Sequence, residues 1–86
     1  MKFKLEREII IGAVIRLQKA GLIINTSGNV SIKVGKYVII TPSATTYNNL
    51  TPTDILVMNQ DKEVVEGNLL PSSEVDLHYS IYENDE

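Results

Sequence analysis

Apolar side chains follow a helical spacing at the start of the chain. Between residues 3 and 20 they recur every three or four positions, which is typical of the buried face of an amphipathic helix, and Gly21 is a natural stop. Because this helix is apolar around much of its girth, we expect other subunits or further chain to cover it on more than one side. The stripe consists of Phe3, Ile10, Val14 and Leu17, widened by Ile9, Ala13 and Ala20.

The pattern then changes to the alternation that is typical of strands. Gly35 and Lys36 form a two-residue connection with glycine first, as a type II′ hairpin requires, and residues 60–62 connect a second hairpin. Residues 51–54 have the composition of a short capped turn, and a final helix is predicted at 75–82. The order helix, hairpin, hairpin, helix indicates an α/β fold of the α+β type around an antiparallel sheet. The strands are predicted at residues 30–34, 37–41, 55–59 and 63–66.

Size and composition limit the class of protein. With 86 residues, 43% apolar and 22% charged, the chain is at most one small soluble domain. No apolar run is long enough to cross a bilayer or to act as a secretion signal, so we expect a cytoplasmic location and no membrane partner. The absence of cysteine excludes disulfides and thiolate metal sites. Four short strands and two helices bury a modest core, which indicates that residues 1–86 are the N-terminal part of one larger domain.

Charge is distributed unevenly about a net value of −3. Residues 1–36 carry seven Lys or Arg and two acidic residues, whereas residues 37–86 carry one Lys and nine acidic residues. The basic part is too sparse and too poor in aromatic residues for a nucleic-acid surface. The asymmetry suits the attraction of an anionic substrate, the pairing of two parts of an assembly, or a simple scatter of solvated charges.

Two short polar loops carry the candidate chemistry. Residues 26–29 (TSGN) precede the first predicted strand, and residues 71–74 (PSSE) precede the last predicted helix. Small hydroxyl residues, glycine and an amide leave backbone N–H groups accessible at such positions, and a helix N-terminus favours negative charge. The glutamate that ends the second segment adds an acid/base group. Together the loops predict a sugar-phosphate site.

Each of these residues also has a purely structural interpretation. Asn29 suits a plain turn, and Ser72 or Ser73 suits a helix N-cap. Glu74 is favourable in a first helical turn because of the helix dipole alone. His78, the only histidine, lies one turn after Glu74, and we interpret it as a packed or hydrogen-bonded helix residue. The residues alone leave both interpretations of the loops open.

Taken together, the motifs resemble the N-terminal part of the class II aldolase/adducin family. Each motif is weak alone, but the set occurs in one order over nearly all of the chain. The resemblance implies a three-layer α/β/α fold with a central, mainly antiparallel sheet, usually in a cyclic tetramer. The matching segments are Gly21-Leu22, Thr26-Ser27-Gly28-Asn29-Val30-Ser31, Ile40-Thr41-Pro42-Ser43, Tyr47, Leu50-Thr51, Asp54-Ile55, Glu66-Gly67, Pro71-Ser72-Ser73-Glu74, His78 and Tyr82.

The resemblance also implies a reaction. In the aldolases of this family a zinc ion polarises the oxygens of a ketose 1-phosphate, and cleavage gives dihydroxyacetone phosphate and an aldehyde. Sugar-phosphate 4-epimerases and dehydratases of the family are a close alternative, although the epimerases tend to carry aspartate where this chain has Glu74. A non-catalytic adducin-like assembly domain or an inactive truncated product is the alternative from another class. The serine pair together with Glu74 favours chemistry.

By resemblance, most site residues lie in the loops. Glu74 matches the glutamate that moves the proton at the enediolate carbon and can contact the metal. The family usually has glycine where this chain has Ala44, which adds a methyl group near the phosphate. The family's zinc-binding histidines have no counterpart here, so we expect residues 1–86 alone neither to hold zinc tightly nor to catalyse. The implied phosphate contacts are Thr26, Gly28, Asn29, Ser43, Ala44, Ser72 and Ser73.

Overall fold

The computed structural model describes residues 1–21, 30–42, 50–67, 69–71 and 74–84. Its order of helix, two hairpins and helix confirms the prediction, and each strand lies within its predicted range. No helix in these described ranges is long and apolar enough to cross a membrane. The elements are helix α1 (Lys4–Lys19), strands β1 (Ser31–Val34) and β2 (Tyr37–Ile40), a 3₁₀ turn (Pro52–Asp54), strands β3 (Leu56–Met58) and β4 (Val64–Glu66), and helix α2 (Val75–Asn84).

The four strands form one antiparallel sheet in the order β1-β2-β3-β4. Gly35 and Lys36 connect β1 to β2, and Gly35 has a φ of 59°, which suits the predicted glycine-first turn. The central pairing joins β2 to β3 and places Ile40 opposite Leu56. Strand order therefore follows sequence order, and both predicted hairpins are confirmed.

The two helices cover opposite faces of the sheet. Alternate residues of β2 and β3 point to the two faces, and both strands are buried on each side, which explains their continuous apolar sequences. The three-layer α/β/α arrangement that the resemblance implies is therefore confirmed. The cluster beneath α1 contains Ile10, Ile39, Ile55 and Val57, and the cluster beneath α2 contains Val38, Ile40, Leu56, Met58 and Tyr79.

Helix α1 buries one of its faces and exposes another. Ile10 and Val14 are fully buried, as the helical spacing predicts. Leu5, Ile9 and Ile15 remain exposed. The described part of the chain therefore covers this helix on one side only, and it does not supply the second covering surface that the sequence leads us to expect.

An ion pair joins α1 to the far edge of the sheet. Arg7 is 1% exposed; its Nη2 donates to Glu66 Oε1 at 2.5 Å and its Nη1 donates to the Pro52 carbonyl at 3.1 Å. Its Nε is buried without a hydrogen-bond partner among the described residues. Burial of a guanidinium destabilises the fold unless its hydrogen-bond and ion-pair partners stay in place. The pair therefore fixes α1, the 3₁₀ turn and the end of β4 relative to one another.

We expect the Arg7–Glu66 pair to make stability depend on acid pH. Partial burial acts to raise the pKa of Glu66, but the charge of Arg7 and hydrogen bonds from Arg7 and the Lys2 backbone N–H outweigh it, so the pKa is lowered. A carboxylate with a lowered folded-state pKa stabilises the fold above its usual pKa, and this contribution is lost as pH falls through the folded value.

Urea unfolding measured from about pH 7 down to about pH 3 tests this expectation. The wild-type protein should lose stability in the acid range, and the Glu66→Gln variant should lose less because it has no carboxylate to protonate. Glu8→Gln, an exposed position on α1, is the matched control and should keep the wild-type acid sensitivity. Equal acid sensitivity in the wild type and Glu66→Gln would show that the pair does not cause it.

Candidate functional site

The loops that the sequence predicts to bind phosphate lie outside the described residues. The structure instead describes one flank of each of the three stretches that hold the predicted phosphate contacts: Val30 after residues 26–29, Pro42 before Ser43 and Ala44, and Pro71 before Ser72 and Ser73. Glu74 follows Ser73 and is the one predicted site residue inside the described ranges. The predicted residues that lie outside them are Thr26, Gly28, Asn29, Ser43, Ala44, Ser72 and Ser73.

The flanking residues lie together at one end of the sheet. The Val30 N–H donates to Thr41 Oγ1 at 3.2 Å, and the Thr41 N–H donates to the Val30 carbonyl at 3.1 Å. Thr41 is fully buried. Directly after it, Pro42 forms an isolated antiparallel bridge with Pro71. The described ends of all three loops are therefore neighbours.

Glu74 stands directly before α2. Its side chain is exposed, and its carbonyl accepts the His78 N–H at 3.2 Å, so it occupies the position at which the helix begins. Because Pro71 precedes it by three residues, at most about 11 Å separates the two Cα atoms. Glu74 therefore lies near the Pro71 loop flank.

A hydrogen-bonded cluster links α2 to β1. Ser31 Oγ lies 2.6 Å from His78 Nδ1 and 2.6 Å from the Tyr82 hydroxyl. A donor chain runs either from Tyr82 through Ser31 to His78 or in the reverse direction, because a serine hydroxyl donates once and accepts from others. Burial lowers the pKa of His78, and the charge of Glu74 acts in the opposite direction. The interpretation of His78 as a hydrogen-bonded helix residue is confirmed.

Sequence reasoning does not include Ser31 among the candidate residues, although a signal for it exists. In the observed register Ser31 pairs with Ile40, which belongs to the cluster beneath α2. Directly opposed residues share a face of the sheet, so Ser31 is a polar residue at an inward strand position. Such a residue needs a hydrogen-bond partner. The signal identifies Ser31 but not its partners, because they lie 47 and 51 residues away.

A cavity of about 250 Å³ lies between α2 and the β1–β2 turn. Lys33, Lys36 and Tyr82 contribute to its lining. Strand β1 runs from the loop flanks at Val30 to the turn at Gly35, so the cavity is at the opposite end of this strand from the flanks.

The described side chains do not form a zinc site by themselves. Within the described ranges no group of three His, Cys, Asp or Glu residues could hold a metal ion. His78 is the only histidine, and its Nδ1 is engaged by Ser31. Catalytic zinc sites use three protein ligands. Glu74 supplies one carboxylate, so these residues do not fit a complete zinc centre.

The structure defines an α/β/α domain in which Val30, Pro42 and Pro71, the flanks of the predicted phosphate contacts, meet at one end of an antiparallel sheet. Residues 8–86 match the Class II Aldolase and Adducin N-terminal domain. The chain therefore belongs to this family, as the motifs of its loops indicate.

Two curated relatives and one solved structure show the range of the family. The chain is 38% identical over 84 residues to 5-deoxy-D-ribulose 1-phosphate aldolase from Bacillus thuringiensis serovar kurstaki, covering 95% of this chain and 39% of the relative. It is 36% identical over 69 residues to L-ribulose-5-phosphate 4-epimerase from Salmonella paratyphi B, covering 78% of this chain and 30% of the relative. A solved L-fuculose 1-phosphate aldolase superposes with a TM-score of 0.88 at 31% identity, covering 94% of this chain and 39% of that one.

The chain thus spans about two-fifths of the length of the aldolases that it matches, since it covers 39% of each. The family match covers residues 8–86 of this chain. Most of each of those relatives lies outside the matched region.

Proposed function

We propose that the protein containing this chain is a sugar-phosphate aldolase, which cleaves a ketose 1-phosphate such as L-fuculose 1-phosphate to dihydroxyacetone phosphate and an aldehyde. The observation that carries the proposal is the meeting of the loop flanks at one end of the sheet, through the Val30–Thr41 hydrogen bonds and the Pro42–Pro71 bridge. Loops that leave the sheet at one place are able to supply groups to a single anion.

In the proposed site, Asn29, Ser43, Ser72 and Ser73 bind the phosphate together with backbone N–H groups. Charge-assisted hydrogen bonds to phosphate fix the substrate and so hold its reacting carbons in place. Glu74 moves the proton at the enediolate carbon. Its exposure directly before α2 and its separation of only three residues from the Pro71 flank support this role.

The proposal includes a zinc ion, which in this reaction class polarises the carbonyl and hydroxyl oxygens of the substrate as a Lewis acid. Because the described side chains do not form a complete site, its ligands would have to come largely from outside residues 1–86, with Glu74 as one candidate. The steps assigned to this chain are phosphate binding and proton transfer. A tetrameric assembly and a cytoplasmic location belong to the same proposal.

A 4-epimerase is the second candidate, because an L-ribulose-5-phosphate 4-epimerase is 36% identical over 69 residues. An epimerase inverts one stereocentre of its substrate and releases no dihydroxyacetone phosphate, so the products distinguish the two activities. Glu74, where the epimerases tend to carry aspartate, favours the aldolase.

An assay on the protein expressed from its whole reading frame separates the candidates. Dihydroxyacetone phosphate is measured with a coupled reductase after addition of L-fuculose 1-phosphate or 5-deoxyribulose 1-phosphate, and L-ribulose 5-phosphate is tested for epimerisation. We expect release of dihydroxyacetone phosphate from at least one ketose 1-phosphate. Epimerisation without such release would identify the second candidate, and neither activity would favour a non-catalytic assembly role.

The phosphate loops are tested by the Ser72→Ala variant in the same protein. Loss of a hydrogen bond to a charged group costs about 1.5–3 kcal/mol, so we expect KM to rise by roughly 10- to 100-fold, with a smaller change in kcat. Ser80→Ala, at an exposed serine within α2, is the matched control and should leave KM unchanged. An unchanged KM in Ser72→Ala would remove this serine from the phosphate site.

A further inference from the structure

One side chain of the sheet is connected to two turns of α2. Ser31, the first residue of β1, contacts both His78 and Tyr82 at 2.6 Å. His78 and Tyr82 are half-buried, as is Ser31. Hydrogen bonds in such a partly desolvated position are stronger than those at a wet surface, and they restrain both distance and direction.

The same face of α2 begins with Glu74. Glu74, His78 and Tyr82 follow one another at intervals of four residues, and such positions are neighbours along one side of a helix. The backbone bond from the His78 N–H to the Glu74 carbonyl joins the first two directly. A constraint on His78 is therefore transmitted through one helical turn to the residue that carries the carboxylate.

The other end of the connection reaches the loop flanks. Ser31 directly follows Val30, which is hydrogen-bonded in both directions to Thr41 beside the Pro42–Pro71 bridge. Ser31 thus ties α2, at His78 and Tyr82, to the backbone beside the loop flanks.

We propose that Ser31, His78 and Tyr82 are positioning residues, which hold the Glu74 carboxylate in a fixed place relative to the phosphate loops. The inference rests on the proposed function, in which Glu74 moves the proton. Such a device matters because a catalytic group must be held within about 0.5 Å of its productive position, and a displacement of about 1 Å costs roughly 100-fold in rate.

Helix α2 has a second anchor that serves as an internal control. Tyr79 is 5% exposed, packs in the cluster beneath the helix, and donates its hydroxyl to the Asn59 carbonyl at 2.5 Å. This contact lies at the end of β3 and has no connection to the loop flanks. Tyr79→Phe removes a hydrogen bond as short as those of Ser31, so it measures what loosening the helix does without disturbing the proposed connection.

The experiment compares variants of the protein expressed from its whole reading frame, at a temperature where circular dichroism shows each to be folded. Ser31→Ala and His78→Leu break the connection, and we expect kcat to fall by roughly 10- to 100-fold with less than about a threefold change in KM. His78→Asn places an amide near the former Nδ1 and should recover most of kcat. Tyr79→Phe should lower the melting temperature and keep kcat.

The outcomes separate this inference from the function on which it rests. If Glu74→Gln retains turnover, Glu74 does not move the proton, and the proposed function on which the inference rests is overturned. If Glu74→Gln loses turnover but Ser31→Ala and His78→Leu keep kcat, the positioning role alone is overturned. A loss of kcat in Tyr79→Phe as large as in Ser31→Ala, or no recovery in His78→Asn, would also overturn it, because the cluster would then act through stability alone. Ser31→Ala removes only one oxygen atom and is expected to fold, so it tests the positioning role even if His78→Leu does not fold.

Discussion

The Gly67→Ala variant is expected to lose more stability than any other glycine-to-alanine variant in the described part of the chain. Gly67 has a φ of 128°, and a Cβ built there would lie 2.2 Å from Leu56 Cδ2. Leu56 is fully buried on the face of β3 that α2 covers, so its side chain has little room to move. Backbone strain of about 1–3 kcal/mol and overpacking of about 1–3 kcal/mol predict a loss of about 2–6 kcal/mol in urea unfolding.

Gly35→Ala is the matched control for the strain. Gly35 also has a positive φ, of 59°, but no atom lies within 4 Å of the Cβ position. Its replacement should cost about 1–2 kcal/mol, the strain of a left-handed alanine alone. Gly67→Ala should also cost less in a Leu56→Val background, which lacks the clashing atom. Equal losses in Gly67→Ala and Gly35→Ala would show that the contact with Leu56 is relieved without cost.

Glu74→Gln is expected to have the largest effect on activity. The amide keeps the shape of the side chain but cannot accept the proton, so turnover should fall by roughly 10²–10⁴-fold, the range for a general acid/base group. Folding should change little, because the side chain is exposed. Stopped assays of dihydroxyacetone phosphate release, together with thermal melts, measure the two effects on one preparation.

Glu83→Gln provides the control for this prediction. It makes the same chemical change at an exposed glutamate near the other end of α2. Turnover should stay within about twofold of the wild type, since surface substitutions rarely alter a distant site. Near-normal turnover in Glu74→Gln would remove this residue from the mechanism, and equal losses in both variants would point to a general effect of charge.

The fold could be predicted because its signals are local. The helical spacing of Ile10 and Val14, the glycine-first turn at Gly35 and the apolar runs of β2 and β3 each lie within a few residues of sequence. The structure follows all of them. The layer arrangement required the family resemblance, because an alternating pattern alone does not say which helix covers which face.

The buried polar contacts could not be predicted, because their partners are remote. Arg7 lies in a helix, and the partners that explain its burial, Pro52 and Glu66, come 45 and 59 residues later. Ser31 has its partners on α2. A single sequence does not show which distant groups meet, and each choice depends on the complete fold.

The candidate site was predicted in part. Helix α2 begins at Val75 as predicted, but Glu74 occupies the cap position that the sequence analysis gives to Ser72 or Ser73. The loops with the implied phosphate contacts lie outside the described ranges, so their roles stay predictions supported by the meeting of their flanks. Within the described ranges no group of three His, Cys, Asp or Glu residues could hold a metal ion, so the ligands of the proposed zinc stay a prediction.

The sequential order of the strands has a consequence for how the chain acquires its structure. Each strand pairs with the strand made just before it, so the sheet can grow step by step as the chain leaves the ribosome, without the slow closure of long loops. The contacts that span 59 residues from Arg7 and 51 residues from Ser31 can form only after β4 and α2 have been synthesised. Synthesis therefore produces strands β1 to β4 before the contacts that orient the proposed catalytic carboxylate can form.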